Sequence, residues 1–293
     1  MKLHLSRRDF MAAGAAAPAV LRFGRASVEP AYRPLGRTGL KVTTLGFGCM
    51  LASDPVVIER AADLGINYFD TARSYQSGNN ERMVGGAIKG KRRQIILSSK
   101  SLARTKEAAL KELDTSLREI GTDYLDVWYL HAKAQPEDVS DELVEAQQIA
   151  RKAGKIRFAG VSTHANMTGL IPWLVSKGQT DIILTAYNFY LDPGTGEAIR
   201  AARRAGAGII AMKVLAGGYS RIRKGDRLYG VAPDALLNRL QQPGAMPAAL
   251  KWSLQNKAVD TAIVGITDFD ELDEDSRAMS EPFREPDRRL LFG

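Results

Sequence analysis

An α/β fold of eight strand–helix units, a (β/α)8 TIM barrel, is what this sequence predicts. Three observations predict it. From residue 42 onward, short apolar runs alternate with amphipathic segments. The short runs are almost continuously apolar, as strands become when a parallel sheet buries both of its faces. Eight of them fit into the roughly 250 residues that a closed barrel normally takes. A doubly wound sheet shares the alternation and is the alternative.

The elements follow in order. YRPLGRTGLKVTTLG reads as a hairpin with Arg37, Thr38 and Gly39 in its turn, suited to plug the bottom of the barrel. Strand candidates are VTTLGFGCM (42–50), INYFDTA (66–72), QIILSSK (94–100), YLDVWYLHA (124–132), IRFAGVST (156–163), DIILTAYNF (181–189), GIIAMKVL (208–215) and VDTAIVGI (259–266). Between them lie helical patterns such as 105–121 and 141–154, each closing on a glycine stop signal. One barrel accounts for 32–280 and leaves 281–293 as a short C-terminal tail. Two connections are longer than the rest, 131–140 and 216–246, and loops at that end of a barrel build the active site. The basic run Arg221, Arg223, Lys224 and Arg227 in the second reads first as a solvated loop and second as an anion clamp.

Composition narrows the function. With 45% hydrophobic and 25% charged residues, the chain has the make-up of a soluble globular protein with ample core. Its formal charge of +8 comes partly from residues 1–26, which hold five Lys/Arg and one Asp; the remainder carries 36 against 32, or +4. No basic cluster is interleaved with aromatics, which argues against nucleic-acid binding. The single cysteine, Cys49, excludes an internal disulfide. Past residue 26 only His131 and His164 remain as imidazole ligands, so no metal site is expected and a metal-dependent sugar isomerase is poorly supported.

Residues 1–26 read as a targeting segment. Arg7-Arg8 follows Ser6, Phe10 stands two residues beyond the pair, and a weakly apolar alanine-rich run leads to Gly24 and Ala26. This resembles a twin-arginine (Tat) signal peptide, which implies the Tat export machinery as a partner and a periplasmic or other extracytoplasmic location. The apolar run from Met11 to Leu21 is too short to span a bilayer, and no integral membrane segment is expected. A frayed, alanine-rich starter helix with chance arginines is the lesser alternative.

Gly46-Phe47-Gly48 invites a dinucleotide fingerprint, but Leu51 stands where the third glycine belongs. The chemistry lies instead at the strand ends. Asp70 ends the second strand candidate, Lys100 the third, His131 lies near the end of the fourth, and Tyr75 follows the second. Singly, Asp70 caps a turn, Lys100 snorkels, His131 is a satisfied core histidine and Tyr75 packs a loop. Together, in a barrel, they converge on one mouth. There a buried lysine needs the carboxylate of Asp70, and a lysine beside a phenol lowers its pKa from about 10, making Tyr75 a better proton donor near neutrality.

These residues carry a resemblance. YRPLGRTGLKVTTLGFGCM, GINYFDTARSYQSGNNERMVGGAI, IILSSK, LDVWYLHA, IRFAGVST, GIIAMKVLAGG and TAIVGI, in that order, make residues 32–279 similar to an aldo-keto reductase. The resemblance implies hydride transfer from C4 of NADP or NAD to an aldehyde, ketone or sugar-like carbonyl, or the reverse. It makes Tyr75 the proton donor, Lys100 the group that lowers its pKa, Asp70 the partner of Lys100, and His131 the residue that orients substrate.

The cofactor positions depart from the family. Its Ser-Asn pair after the fifth strand reads Ser162-Thr163, and its glutamine on the sixth falls on Leu184 or Thr185. Met212 stands where an aromatic stacks on the nicotinamide, Lys213, Val214 and Leu215 run beside the pyrophosphate, and Gly48 and Asp70 are further cofactor-binding candidates. At the adenine end, after Gly265, Thr267 replaces an arginine that grips the 2′-phosphate, Glu271 a glutamine and Asp275 an asparagine. Acids there either complement a helix dipole or repel a 2′-phosphate and favour NAD. The expected function is an exported NAD(P)-dependent oxidoreductase; the alternative is a nucleotide- or ligand-binding barrel without turnover, a sensor or accessory subunit.

Overall fold

The computed structural model describes residues 29–191, 193–215, 240 and 242–293; the targeting segment and the basic run 221–227 lie outside them. Eight parallel strands close a barrel in sequence order: β3 (Leu45–Gly48), β4 (Tyr68–Asp70), β5 (Ile96–Ser101), β6 (Leu125–Leu130), β7 (Ile156–Thr163), β8 (Ile182–Ala186), β9 (Gly208–Met212) and β10 (Thr261–Gly265), which returns to β3. The described helices are α1 (Pro55–Asp63), α2 (Asn79–Ile88), α3 (Lys106–Ile120), α4 (Asp141–Lys152), α5 (Met167–Lys177), α6 (Pro193–Arg204), α7 (Ala245–Gln255), α8 (Phe269–Ala278) and α9 (Glu285–Phe292).

Local chemistry sets these limits. Asp54 caps α1 by accepting from the Val56 amide, with Pro55 preset in the first turn. Thr105 caps α3 by accepting from Ala108, and Gly121 ends it at φ 75°. The run expected as one strand over 42–50 is divided. Lys41–Thr43 forms β2, antiparallel to β1 (Tyr32–Pro34), while only Leu45–Gly48 enters the barrel. Thr44 is the break, its amide bonded back to the Ala31 carbonyl. Cys49–Leu51 then leaves the sheet in a tight turn closed by the Ala52 amide on the Cys49 carbonyl.

The β1–β2 hairpin is keyed into the N-terminal ends of the strands. The Gly36 amide donates to Asp260 Oδ2 at 2.9 Å, the Arg37 amide to the Gly206 carbonyl, and Leu35 packs against Gly208. The barrel interior is filled by Tyr68, Ile96, Val127, Tyr129, Ile182, Leu184, Ile210, Met212 and Ile263. Gly160 belongs to this packing, since a Cβ there would lie 2.4 Å from the Tyr129 ring. The two interior hydroxyls satisfy each other, Tyr68 Oη to Tyr129 Oη at 2.8 Å. The segment expected as a tail carries α9, which packs on α7 and buries Leu291.

Candidate active site

The C-terminal ends of β4, β5 and β6 bring the four strand-end residues together. Lys100 is 1% exposed and Asp70 2%. The Lys100 ammonium donates three bonds, to Asp70 Oδ2 at 2.5 Å, the Thr71 carbonyl at 2.8 Å and Tyr75 Oη at 3.0 Å. It also lies 4.5 Å from the centre of the Tyr75 ring. His131 meets that ring edge-on, with centroids 6.0 Å apart. The second oxygen of Asp70 accepts from Ser98 Oγ at 2.7 Å, so the carboxylate is fixed from both sides.

Tyr75 is placed by backbone as much as by side chain. After β4 the chain continues beside β5, with Thr71 and Arg73 amides on the Ser98 and Lys100 carbonyls. It then turns through three left-handed residues, Gln76, Ser77 and Gly78. Arg73 fills the space beside Gly78 and pairs with buried Glu81, which also accepts from Ser99 Oγ. Buried Asn80 accepts from Thr71 Oγ1 and donates to the Cys49 carbonyl. Ser98, Asn80 and Glu81 are supporting residues that strand-end reasoning missed. The polar pair Asn80-Glu81 at the start of an otherwise apolar helical face was the available signal.

Electrostatics differ from expectation at one point. Burial raises the Tyr75 phenol above its ordinary pKa; Lys100 pulls it down by charge and hydrogen bond but does not win. The lowered phenol expected from the sequence is therefore corrected. A phenol of ordinary pKa is already protonated at neutral pH, and here desolvation disfavours the phenolate more than the one ammonium favours it. Burial pushes Lys100 down, yet Asp70 and Tyr75 together leave it above its ordinary value, so it stays charged. His131 is driven to about 3 by burial, with Lys100, His164 and Lys133 adding repulsion. It is a neutral imidazole at physiological pH, and its buried Nδ1 has no hydrogen-bond partner among the described residues.

The nicotinamide-end residues fit a flat polar ring. Gly48 and Gly265, paired in register, are the partly open residues of their strands and leave a rim without side chains. Ser162 Oγ accepts from the Ala132 amide, which leaves its proton for a carboxamide oxygen. Met212 faces the interior beside this rim, and Lys213 follows it at φ 54° with its carbonyl held by Asn188. Val214 is buried and Leu215 half-buried. Thr163 instead donates its hydroxyl to the Ala165 carbonyl at 2.7 Å, and Leu184 is core.

The two adenine-end acids are buried. Glu271 does not face outward; its Oε2 accepts from the Thr267 amide at 2.7 Å and the Thr267 hydroxyl at 3.0 Å. Asp275 is 0% exposed, so no ribose reaches it in this conformation. Both acids lie on the buried face of α8, whose N-terminus is capped by the Asp268 side chain accepting from the Glu271 amide.

Comparison with known proteins bears on the family and the fold. The Aldo/keto reductase family model matches residues 52–289. An L-galactose dehydrogenase of Arabidopsis thaliana is 27% identical, over 85% of this chain and 88% of that protein. An L-glyceraldehyde 3-phosphate reductase of Escherichia coli is 26% identical, over 85% and 87%. The holo form of an aldo-keto reductase from Bacillus halodurans superposes with a TM-score of 0.76 at 28% identity, over 89% of this chain and 95% of that one.

Proposed function

The chain belongs to the aldo/keto reductase family, and from that premise we propose how its residues divide the work of an NAD(P)-dependent oxidoreductase acting on carbonyl compounds. Tyr75 gives its phenolic proton to the carbonyl oxygen and, in the reverse direction, takes it from the alcohol. Lys100, whose ammonium lies 3.0 Å from Tyr75 Oη, stabilises the phenolate left behind. Asp70 keeps the lysine charged and fixed. His131, neutral and with an unpartnered nitrogen, orients the substrate oxygen. The nicotinamide cofactor, when bound, supplies or accepts the hydride. The observation that carries this reading is the single ammonium shared by Asp70 and Tyr75 in the mouth of a closed barrel.

Ser162, Met212, Gly48 and Gly265 would hold the nicotinamide, and Lys213, Val214 and Leu215 the pyrophosphate. NAD is the preferred form in this reading. The start of α8 is a natural anion site, but the Glu271 carboxylate already takes the Thr267 amide, where a 2′-phosphate would compete. Residues 1–26 act as a twin-arginine signal, 32–280 as the catalytic barrel, and export follows cofactor loading in the cytoplasm. The paired Arg7-Arg8 supports this part of the reading.

The protein is purified without added cofactor, its fluorescence recorded, and NADH and NADPH titrated. Failure of both to bind at millimolar concentration sinks the reductase assignment and leaves a ligand-binding barrel. Given binding, Tyr75→Phe removes carbonyl reduction and barely changes cofactor affinity; surviving turnover would show another proton donor. Export is checked by fractionating cells that carry Arg7→Lys with Arg8→Lys. Unchanged partition would remove the signal from the account.

A further inference from the structure

Two phenols lie in the barrel interior beneath the acid–base site, and the chemistry assigned above does not use them. Tyr68 and Tyr129 are both fully buried, with their hydroxyls 2.8 Å apart. Tyr68 stands two residues before Asp70 on β4, so both side chains take the same face of the strand. Ser98 is the lateral partner of Asp70 on β5. Its Oγ donates to Asp70 Oδ1 at 2.7 Å, the Phe69 carbonyl being a more distant acceptor at 3.3 Å. The same serine hydroxyl is a hydrogen-bond partner of the Tyr68 phenol.

Counting protons gives this cluster a direction. The bond between the phenols uses one of their two protons. If Tyr68 were the donor, the Tyr129 proton would have no acceptor among the described residues. If Tyr129 donates to Tyr68 instead, the Tyr68 proton goes to Ser98 Oγ and the Ser98 proton to Asp70. Every hydroxyl in the cluster is then satisfied. Burial, with the Asp70 charge added, raises both phenols above their ordinary pKa, so they remain donors. Hydrogen bonds in such a string polarise one another, most where the dielectric is low.

We propose that Tyr129, Tyr68 and Ser98 are positioning residues, a string of donors ending on Asp70 Oδ1 that sets how the Lys100 ammonium is shared between Asp70 and Tyr75. The inference deepens the reductase reading and rests on it. Charge drawn to Oδ1 leaves less on Oδ2, which then holds Lys100 less tightly. More of the ammonium is left for the Tyr75 phenolate. Cys49, just after β3, also feels the Asp70 charge, but burial keeps it a thiol. The Lys100–Tyr75 pair is therefore where the effect of the string appears.

The test follows the pH at which oxidation of butan-1-ol with NAD or NADP rises, the limb that reports loss of the Tyr75 proton. Ser98→Ala is expected to move it upward by about half a unit, about a threefold loss of rate at a fixed pH below it. Tyr68→Phe moves it less and Tyr129→Phe least, while Ser98→Thr, which keeps the hydroxyl, restores the wild-type limb. Combining Tyr68→Phe with Tyr129→Phe leaves neither phenol orphaned. Its melting temperature is expected near wild type, with the limb where Tyr68→Phe alone puts it. Both Phe variants keep the ring, so the test stands even where Ser98→Ala fails to fold. A turnover-free arm titrates the Tyr75 resonance in protein labelled at tyrosine Cζ, assigned by its loss in Tyr75→Phe. Limb and resonance unmoved in Ser98→Ala and Tyr68→Phe overturn the proposal, whatever the melts show. So does a larger shift from Tyr129→Phe than from Tyr68→Phe. Alcohol oxidation with an unmoved limb rejects the string and keeps the reductase. A shifted Tyr75 resonance in a protein that binds neither NADH nor NADPH keeps the string and rejects the reductase.

Discussion

Asp70 at the mouth of the barrel and Asp260 at its floor are both buried carboxylates beside a cation, and they end differently. At the floor, Asp260 Oδ2 accepts from the Gly36 and Ile209 amides and Oδ1 from Arg203 Nε at 2.8 Å. Every bond there goes back into backbone or a structural arginine. At the mouth, the Asp70–Lys100 pair continues to Tyr75 Oη, beside a histidine nitrogen with no partner among the described residues. The floor network is closed and holds the hairpin on the strands. The mouth network has open valences, and open valences in a buried place are where a substrate completes the structure.

Breaking the two networks should therefore have different readouts. Lys100→Met strands a buried carboxylate and removes the phenolate's partner. Reduction is expected to fall by about 10²–10⁴-fold and unfolding free energy by about 3–5 kcal/mol, measured by steady-state kinetics and denaturant melts. Adding Asp70→Leu should restore much of the stability and none of the activity. If activity returned with stability, the pair would be structural only. Asp260→Ala should cost about 3 kcal/mol while kcat of the folded fraction stays within about twofold, since the floor of such a barrel serves stability. A large kcat loss would erase the distinction between the two ends.

A pH series sharpens the comparison. His131 titrates at about 3 in the folded chain against an ordinary 6.5. Between these values the unfolded chain binds the extra proton, so stability falls as pH falls through that window. From pH 7 to pH 5 the expected loss from this group is about 2 kcal/mol. The wild-type minus His131→Gln difference in melts isolates it; a flat difference would mean an imidazole open to water. The smallest effect belongs to the cofactor side. Glu271→Gln should raise the NADPH:NADH ratio of kcat/KM by about threefold, the scale of one charge at a helix start. A fall in that ratio would show that the carboxylate does not oppose a phosphate.

The barrel was legible because eight apolar runs in order admit few packings, and β7 matches its run at both ends, Ile156 and Thr163. The division at Thr44 was not, because antiparallel and parallel partners place similar demands on VTTLGFG. Asp70, Tyr75, Lys100 and His131 could be read from strand-end positions. The direction of the Tyr75 shift could not, since it depends on how much of the phenol is buried, a quantity fixed by loop geometry. Nor could the inward turn of Glu271 and Asp275, because acids near a helix start look alike in sequence whichever way the helix rolls.

The left-handed turn at Gln76, Ser77 and Gly78 has a consequence for how the enzyme cycles. Gln76 Nε2 is tied to the Ala52 carbonyl at 2.8 Å, Arg73 is seated against Gly78, and Glu81 anchors Arg73 from below. A segment pinned in three places, with its dihedrals already spent on an unusual turn, is a poor jaw. It is an anvil. Tyr75 is carried on a fixed face of the mouth, held by the same three anchors.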